Sequence, residues 1–203
     1  MGFKTRFPPG SGLDADKAAL RAEALERRAQ VPQDVRAAFA ARLALEGVAL
    51  AKRFDAKTAS AFMPIGGEPD TLPLFRALYG AGISAALPVT VGRGSPLVFR
   101  RWAFGAATRL GQMKIPEPHP NAEIVEPDLL FTPLSAYDRA GGRIGYGMGH
   151  YDRSLRALRA KGRAIAVGVA FSVSEIPLAP FGDYDERLDF ILTERELIEV
   201  AHR

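Results

Sequence analysis

The sequence predicts an α/β fold, a three-layer sandwich with a mostly parallel central sheet and helices on both faces. Two observations predict it. Helical apolar spacing alternates along the chain with short, continuous apolar runs, and Gly- and Pro-containing loops bound those runs. Residues 129–132 and 165–171 lack the in–out alternation of a half-exposed strand, which marks strands covered on both sides. A chain of 203 residues, 47% of them hydrophobic, is large enough to bury such a sheet.

The elements follow in order. Residues 1–12 are basic and rich in Pro and Gly with no apolar stretch behind them, so they read as a flexible basic N-terminus and not as a secretory signal. Asp14 is placed to N-cap a helix in which Ala18, Leu20, Ala24 and Leu25 share a stripe, with Lys17, Arg21, Arg27 and Arg28 on the opposite face. A second helix opens with Pro32 as its first residue, where a missing N–H is harmless, and runs to residue 52 on Val35, Phe39, Leu43 and Leu50. The period then changes. Residues 58–63 read as a strand ending in the loop Pro64-Ile65-Gly66-Gly67, and 71–79 as a helix closed by Gly80 and Gly82. A strand over 83–91 is interrupted by Pro88, and 97–104 is its hairpin partner or a sheet edge. After a Pro-rich connection over 111–127 come a strand at 129–132, a helix at 151–161, a strand at 165–171 and a last short one at 190–192. No repeat and no long linker divides the chain, so 13–203 reads as a single α/β domain.

Composition excludes several classes. No stretch approaches the roughly 18 uninterrupted apolar residues of a membrane span. The absence of cysteine removes disulfides, thiolate zinc sites and a cysteine nucleophile, and it fits a reducing, cytoplasmic setting. The net charge of +4 permits an anionic ligand. No Arg/Lys tract interleaved with aromatics accompanies it, so a nucleic-acid partner is not expected.

The richest segment is Gly141-Gly142-Arg143-Ile144-Gly145-Tyr146-Gly147-Met148-Gly149-His150-Tyr151-Asp152-Arg153, between a buried strand and a helix. Glycines let backbone N–H groups approach an anion, and a helix N-terminus adds partial positive charge. The spacing alone fits an anion cradle or a surface loop whose glycines serve turns. A Walker A loop is excluded because no Gly-Lys-Ser or Gly-Lys-Thr occurs. A dinucleotide-binding turn is excluded too: the glycines do not directly follow the strand, and the place for the ribose-binding acid reads Val167-Gly168-Val169-Ala170.

The run from Arg143 to Arg153 closely resembles the R-L-G-x-G-x-G-Y-Y-D-R signature of 5-formyltetrahydrofolate cyclo-ligases. Other pieces agree in order: Lys17-Ala-Ala-Leu-Arg21 with K-x-x-L-R, Glu68-Pro-Asp-Thr71 with E-x-x-T, Ile115-Pro116-Glu117-Pro118 with I-x-x-P, Asp128-Leu-Leu-Phe131 with the strand before the loop, and Asp189 with a late acid. The resemblance spans residues 14 to 193. It implies an ATP- and magnesium-dependent conversion of 5-formyltetrahydrofolate to 5,10-methenyltetrahydrofolate through an N5-iminium phosphate, with release of ADP and phosphate, by a monomeric cytoplasmic enzyme.

Roles are implied residue by residue. Lys17 and Arg21 would clasp the polyphosphate, with Arg143 and the segment Ile144, Gly145, Tyr146, Gly147, Met148, Gly149, His150 and Tyr151 around the nucleotide. Met63, Glu68 and the segment Tyr146, Gly147, Met148, Gly149 and His150 would contact folate, with Glu68 accepting pterin N–H groups. Arg143, Tyr151 and Asp152 form the catalytic set, and Asp152 with Asp189 would hold magnesium. Four positions depart from the family pattern: His150 stands for Tyr, Met148 for Lys or Gly, Val89 for a basic residue, and Met113 for an aromatic. These departures motivate a second reading, a non-catalytic folate- or nucleotide-binding protein of the same fold.

Overall fold

The computed structural model describes residues 12–111, 114–162 and 164–201; of the basic N-terminus expected over 1–12, residues 1–11 lie outside them and Gly12 opens a helix, and Met113 also lies outside. The helices are α1 (Gly12–Ala29), α2 (Gln33–Arg53), α3 (Leu72–Gly80) and α4 (His150–Lys161). The strands are β1 (Thr58–Ser60), β2 (Ser84–Val89), β3 (Val98–Arg101), β4 (Thr108–Leu110), β5 (Pro116–Pro118), β6 (Leu129–Pro133), β7 (Ala136–Tyr137), β8 (Arg143–Ile144), β9 (Ile165–Val169), β10 (Phe190–Leu192) and β11 (Leu197–Glu199).

Seven strands form the main sheet in the order β11-β10-β9-β6-β1-β2-β3. The pairs from β10 to β2 are parallel, and antiparallel β11 and β3 close the two edges. The expected mostly parallel sandwich is therefore the fold. Successive side chains on each strand part to opposite faces. Leu129 and Phe131 join Phe39 and Leu43 of α2 and Leu74, Phe75 and Leu78 of α3 in one core. Leu130, Ala166 and Ile191 join Leu155 of α4 in the other. Each fully buried Leu or Phe stabilises the fold by about 1.5–3 kcal/mol.

Local chemistry sets the boundaries. Pro32 occupies the N-cap of α2 with extended backbone, one place ahead of its expected position. α1 starts at Gly12, so Asp14 lies in the first turn, where a carboxylate still favours the helix dipole. Pro88 is tolerated inside β2 because it falls beyond Ala86, the last residue paired with β1.

Three features depart from expectation. The Pro-rich connection over 111–127 contains β5, which pairs with β4 as a separate two-stranded ribbon. The approach to the glycine-rich segment holds a second ribbon, β7 with β8. β11 is an additional edge strand. All are two or three residues long, too short for a period to show. Ala24 of α1 packs on Ala136 and Ile144 of the β7–β8 ribbon, which lays α1 beside the glycine-rich loop.

Candidate active site

A cleft of about 600 Å³ opens at the carboxyl ends of β1, β2 and β6, where open α/β sheets place their ligands. Its apolar lining includes Phe62 and Met63 after β1, with Leu87 and Pro88 of β2. Lys17, Arg21, Glu68, Arg143, Asp152 and every residue from Ile144 to Tyr151 line the same cleft.

The glycine-rich loop is held from two sides. Arg21 donates to the Gly145 carbonyl at 2.6 Å, and Arg153 donates to the Met148 carbonyl. Gly147 has φ +89°, and a Cβ there would come 3.4 Å from the Arg21 guanidinium. Gly149, the N-cap of α4, is left-handed with φ 62°. That position brings the first turn of α4 to the cleft with no side-chain cap on its amides, the chemistry of an anion site.

Arg143, 8% exposed, donates to Asp152 Oδ1 at 2.8 Å. The Glu186 amide donates to the same oxygen at 3.0 Å. Arg143 also lies 5.8 Å from the Tyr151 ring centre. Burial pushes the Tyr151 phenol well above its ordinary pKa; the Glu68 charge adds to the rise and Arg143 opposes it. Tyr151 is therefore a hydrogen-bond donor and not a base at neutral pH.

Asp189 is not brought into this cleft. It precedes β10, and its carboxylate accepts from the Ala166 amide at 2.8 Å and from Arg159 at 2.7 Å. Ala166 lies at the amino end of β9, so Asp189 belongs to the far end of the parallel sheet. The aspartates that do line the cleft are Asp14, Asp152 and Asp185, the last ion-paired with Lys17. Glu186, the next residue, gives its amide to Asp152, which ties the chain at 185–186 to the start of α4. Asp152 and Asp185 thus share the cleft, and Asp189 does not join them. Asp183, Asp185, Glu186 and Asp189 crowd one acidic stretch, and only the fold distinguishes among them.

A second group surrounds Glu68. Its Oε2 accepts from the Ile65 amide at 2.9 Å, and its Oε1 is buried with no hydrogen-bond partner among the described residues. Burial raises its pKa, ahead of the lowering effects of the Ile65 amide, the Arg28 charge and Tyr146. Arg28 is 2% exposed. It donates to the Gly66 carbonyl at 2.7 Å, to the Tyr146 hydroxyl at 3.0 Å and to the Leu134 carbonyl at 3.5 Å. The basic side of α1 thus turns inward at Arg28. Lys17, Arg21 and Arg28 recur at spacings of 4 and 7, which put all three on one side of a helix, and that spacing was the available signal.

Of the departing positions, Met148 and His150 line the cleft and Val89 does not. His150 Nδ1 lies 2.8 Å from the Ser95 carbonyl, which can only accept, so Nδ1 carries a proton.

The fold and cleft define an α/β enzyme class in which a glycine-rich loop, a helix N-terminus and ion-paired carboxylates meet over an apolar floor. Comparison with known proteins names the class. The profile of the 5-formyltetrahydrofolate cyclo-ligase family matches residues 13–194. The chain is 33% identical over 187 residues to the 5-formyltetrahydrofolate cyclo-ligase of Mycolicibacterium smegmatis, covering 88% of this chain and 94% of that protein. It is 32% identical over 150 residues to the one from Escherichia coli K12, covering 71% and 81%. The NMR structure of Aquifex aeolicus 5,10-methenyltetrahydrofolate synthetase superposes with a TM-score of 0.72 at 27% identity, covering 92% of this chain and 94% of that one. The chain belongs to the 5-formyltetrahydrofolate cyclo-ligase family.

Proposed function

We propose that this enzyme converts 5-formyltetrahydrofolate to 5,10-methenyltetrahydrofolate with ATP and magnesium, as a cytoplasmic monomer. The observation that carries the reading is the placement of Arg143 and Asp152, bonded to each other, at the uncapped N-terminus of α4 beside the buried carboxyl of Glu68.

The formyl oxygen attacks the γ-phosphorus and ADP departs, leaving an N5-iminium phosphate. N10 of the same folate adds to the activated carbon, loses its proton, and phosphate leaves to give the methenyl product. Oxygen bound to carbon is a poor leaving group until phosphorylated, and the closure is intramolecular. The protein's task is thus chiefly positioning and charge neutralisation. Lys17, Arg21, Arg143 and the amides at the start of α4 are the groups suited to phosphates. Glu68, with Oε1 unpaired, accepts pterin N–H groups, and Met63 lies along the same pocket.

The residues fit magnesium. Both hydrogen bonds to Asp152 fall on Oδ1, leaving Oδ2 without a protein donor among the described residues. Asp185 lines the same cleft. Magnesium commonly takes one or two carboxylates and keeps waters and substrate phosphates as its other ligands. Held by Asp152 and Asp185, it would neutralise charge on the transferring phosphate.

The test follows methenyltetrahydrofolate by absorbance, with 5-formyltetrahydrofolate supplied and ATP or magnesium added or withheld. Product growth that needs both supports the reading. Folate binding without ATP-dependent product would leave the non-catalytic binding protein instead.

A further inference from the structure

Glu117 is a buried acid that the reaction above leaves without a task. It sits on β5 between Pro116 and Pro118, lines the cleft and is 4% exposed. Its Oε1 accepts a 3.1 Å hydrogen bond from the Thr90 amide, and no further donor or basic partner reaches it among the described residues. A carboxylate taken out of water is costly unless donors surround it. The unfilled acceptor positions of Glu117 therefore suit a ligand that brings N–H groups.

The backbone is shaped around this side chain. A Cβ on Gly111 would fall 2.1 Å from the Glu117 carboxyl carbon and 2.3 Å from both oxygens. Glycine at 111 is what leaves the carboxylate its place. A phosphate would be repelled there. A reduced folate offers N–H donors at the 2-amino group, N3, N8 and N10, more than one carboxylate can take.

We infer that Glu117 is a second substrate-contacting carboxylate, accepting a hydrogen bond from a folate N–H that Glu68 does not take. This assignment rests on the folate reading above.

The experiment measures binding of 5-formyltetrahydrofolate, and separately of ATP with magnesium, to the full chain and to Glu117→Gln. Glutamine keeps an oxygen for the Thr90 amide, so a merely structural role predicts no change. A substrate contact predicts a folate Kd raised about tenfold or more and an ATP Kd within about twofold. Gly111→Ala, which displaces the carboxylate, should raise the folate Kd in the same way. Combined with Glu117→Ala it should bind no worse than Glu117→Ala alone. Equal folate affinity in the parent and Glu117→Gln, or a parallel loss of ATP affinity, overturns the assignment and leaves the folate reading standing. A parent chain that binds no folate overturns both. Where Glu117→Gln does not fold, the Gly111→Ala comparison decides.

Discussion

Burial holds the Glu68 carboxyl above the ordinary carboxylate range despite the Ile65 amide and the Arg28 guanidinium. A carboxyl with a raised folded-state pKa binds its proton more tightly in the native protein. The stability it contributes is complete below the unfolded-state pKa and is lost as pH rises through the folded value. Glu68→Gln removes that loss, so the variant should melt higher than the parent at pH 8, with the difference vanishing near pH 4. The same variant should bind folate more weakly, a stability gain coupled to loss of function. Thermal melts across that pH range and a folate titration check the two halves. Asp152→Asn removes the charge that pairs with Arg143 and that the proposed function offers to magnesium; turnover should fall about 100-fold or more while circular dichroism stays that of the parent. Near-parent rates would exclude a metal role. The sequence made Arg143, Glu68 and Asp152 legible as residues of the cleft because a motif or a strand-end glycine pair marks each one. Asp185 was not legible, since its partner Lys17 is 168 positions away and nothing local separates it from Asp189.

At the scale of elements, the cleft depends on how α1 and α4 grip the glycine-rich loop. The long helices and buried strands were readable because several turns or several apolar residues repeat one period. The ribbons β4–β5 and β7–β8 were not, because two or three paired residues leave no period and their partners are fixed by tertiary packing. That loss mattered: β5 carries Glu117 and β8 carries Arg143. Gly149 exposes the local constraint most clearly. Its left-handed φ is unfavourable for other residues, and a Cβ would sit 2.9 Å from the Arg153 guanidinium. Gly149→Ala should therefore cost about 1–2 kcal/mol in denaturant melts. It should also weaken ATP binding more than folate binding, because the α4 amides lose their aim. Equal weakening of both ligands would show a general collapse of the cleft instead.

Across the whole molecule, charged groups converge from parts of the chain distant in sequence: Lys17 and Arg21 from α1, Glu68 after β1, Glu117 on β5, Arg143 on β8, Asp152 on α4 and Asp185 before β10. Most are half-buried or buried, and they satisfy one another only in part. Lys17 is ion-paired with Asp185 and Arg143 with Asp152, while Glu68 Oε1 is unpaired. Ligands that complete these interactions bind the native state and not the unfolded chain, so they must raise its stability by mass action. At a ligand concentration 100 times Kd the gain is about 2.7 kcal/mol, which for a chain of this size raises the melting temperature by about 5–10 °C. ATP with magnesium and 5-formyltetrahydrofolate should each produce a rise of that order in a thermal-shift measurement. The magnesium dependence of the ATP effect should disappear in Asp152→Asn, while the folate effect persists there and is lost in Glu68→Gln. If both variants lost both effects, the two ligand sites would not be separable and the division of the cleft between phosphate-holding and folate-holding groups would be wrong.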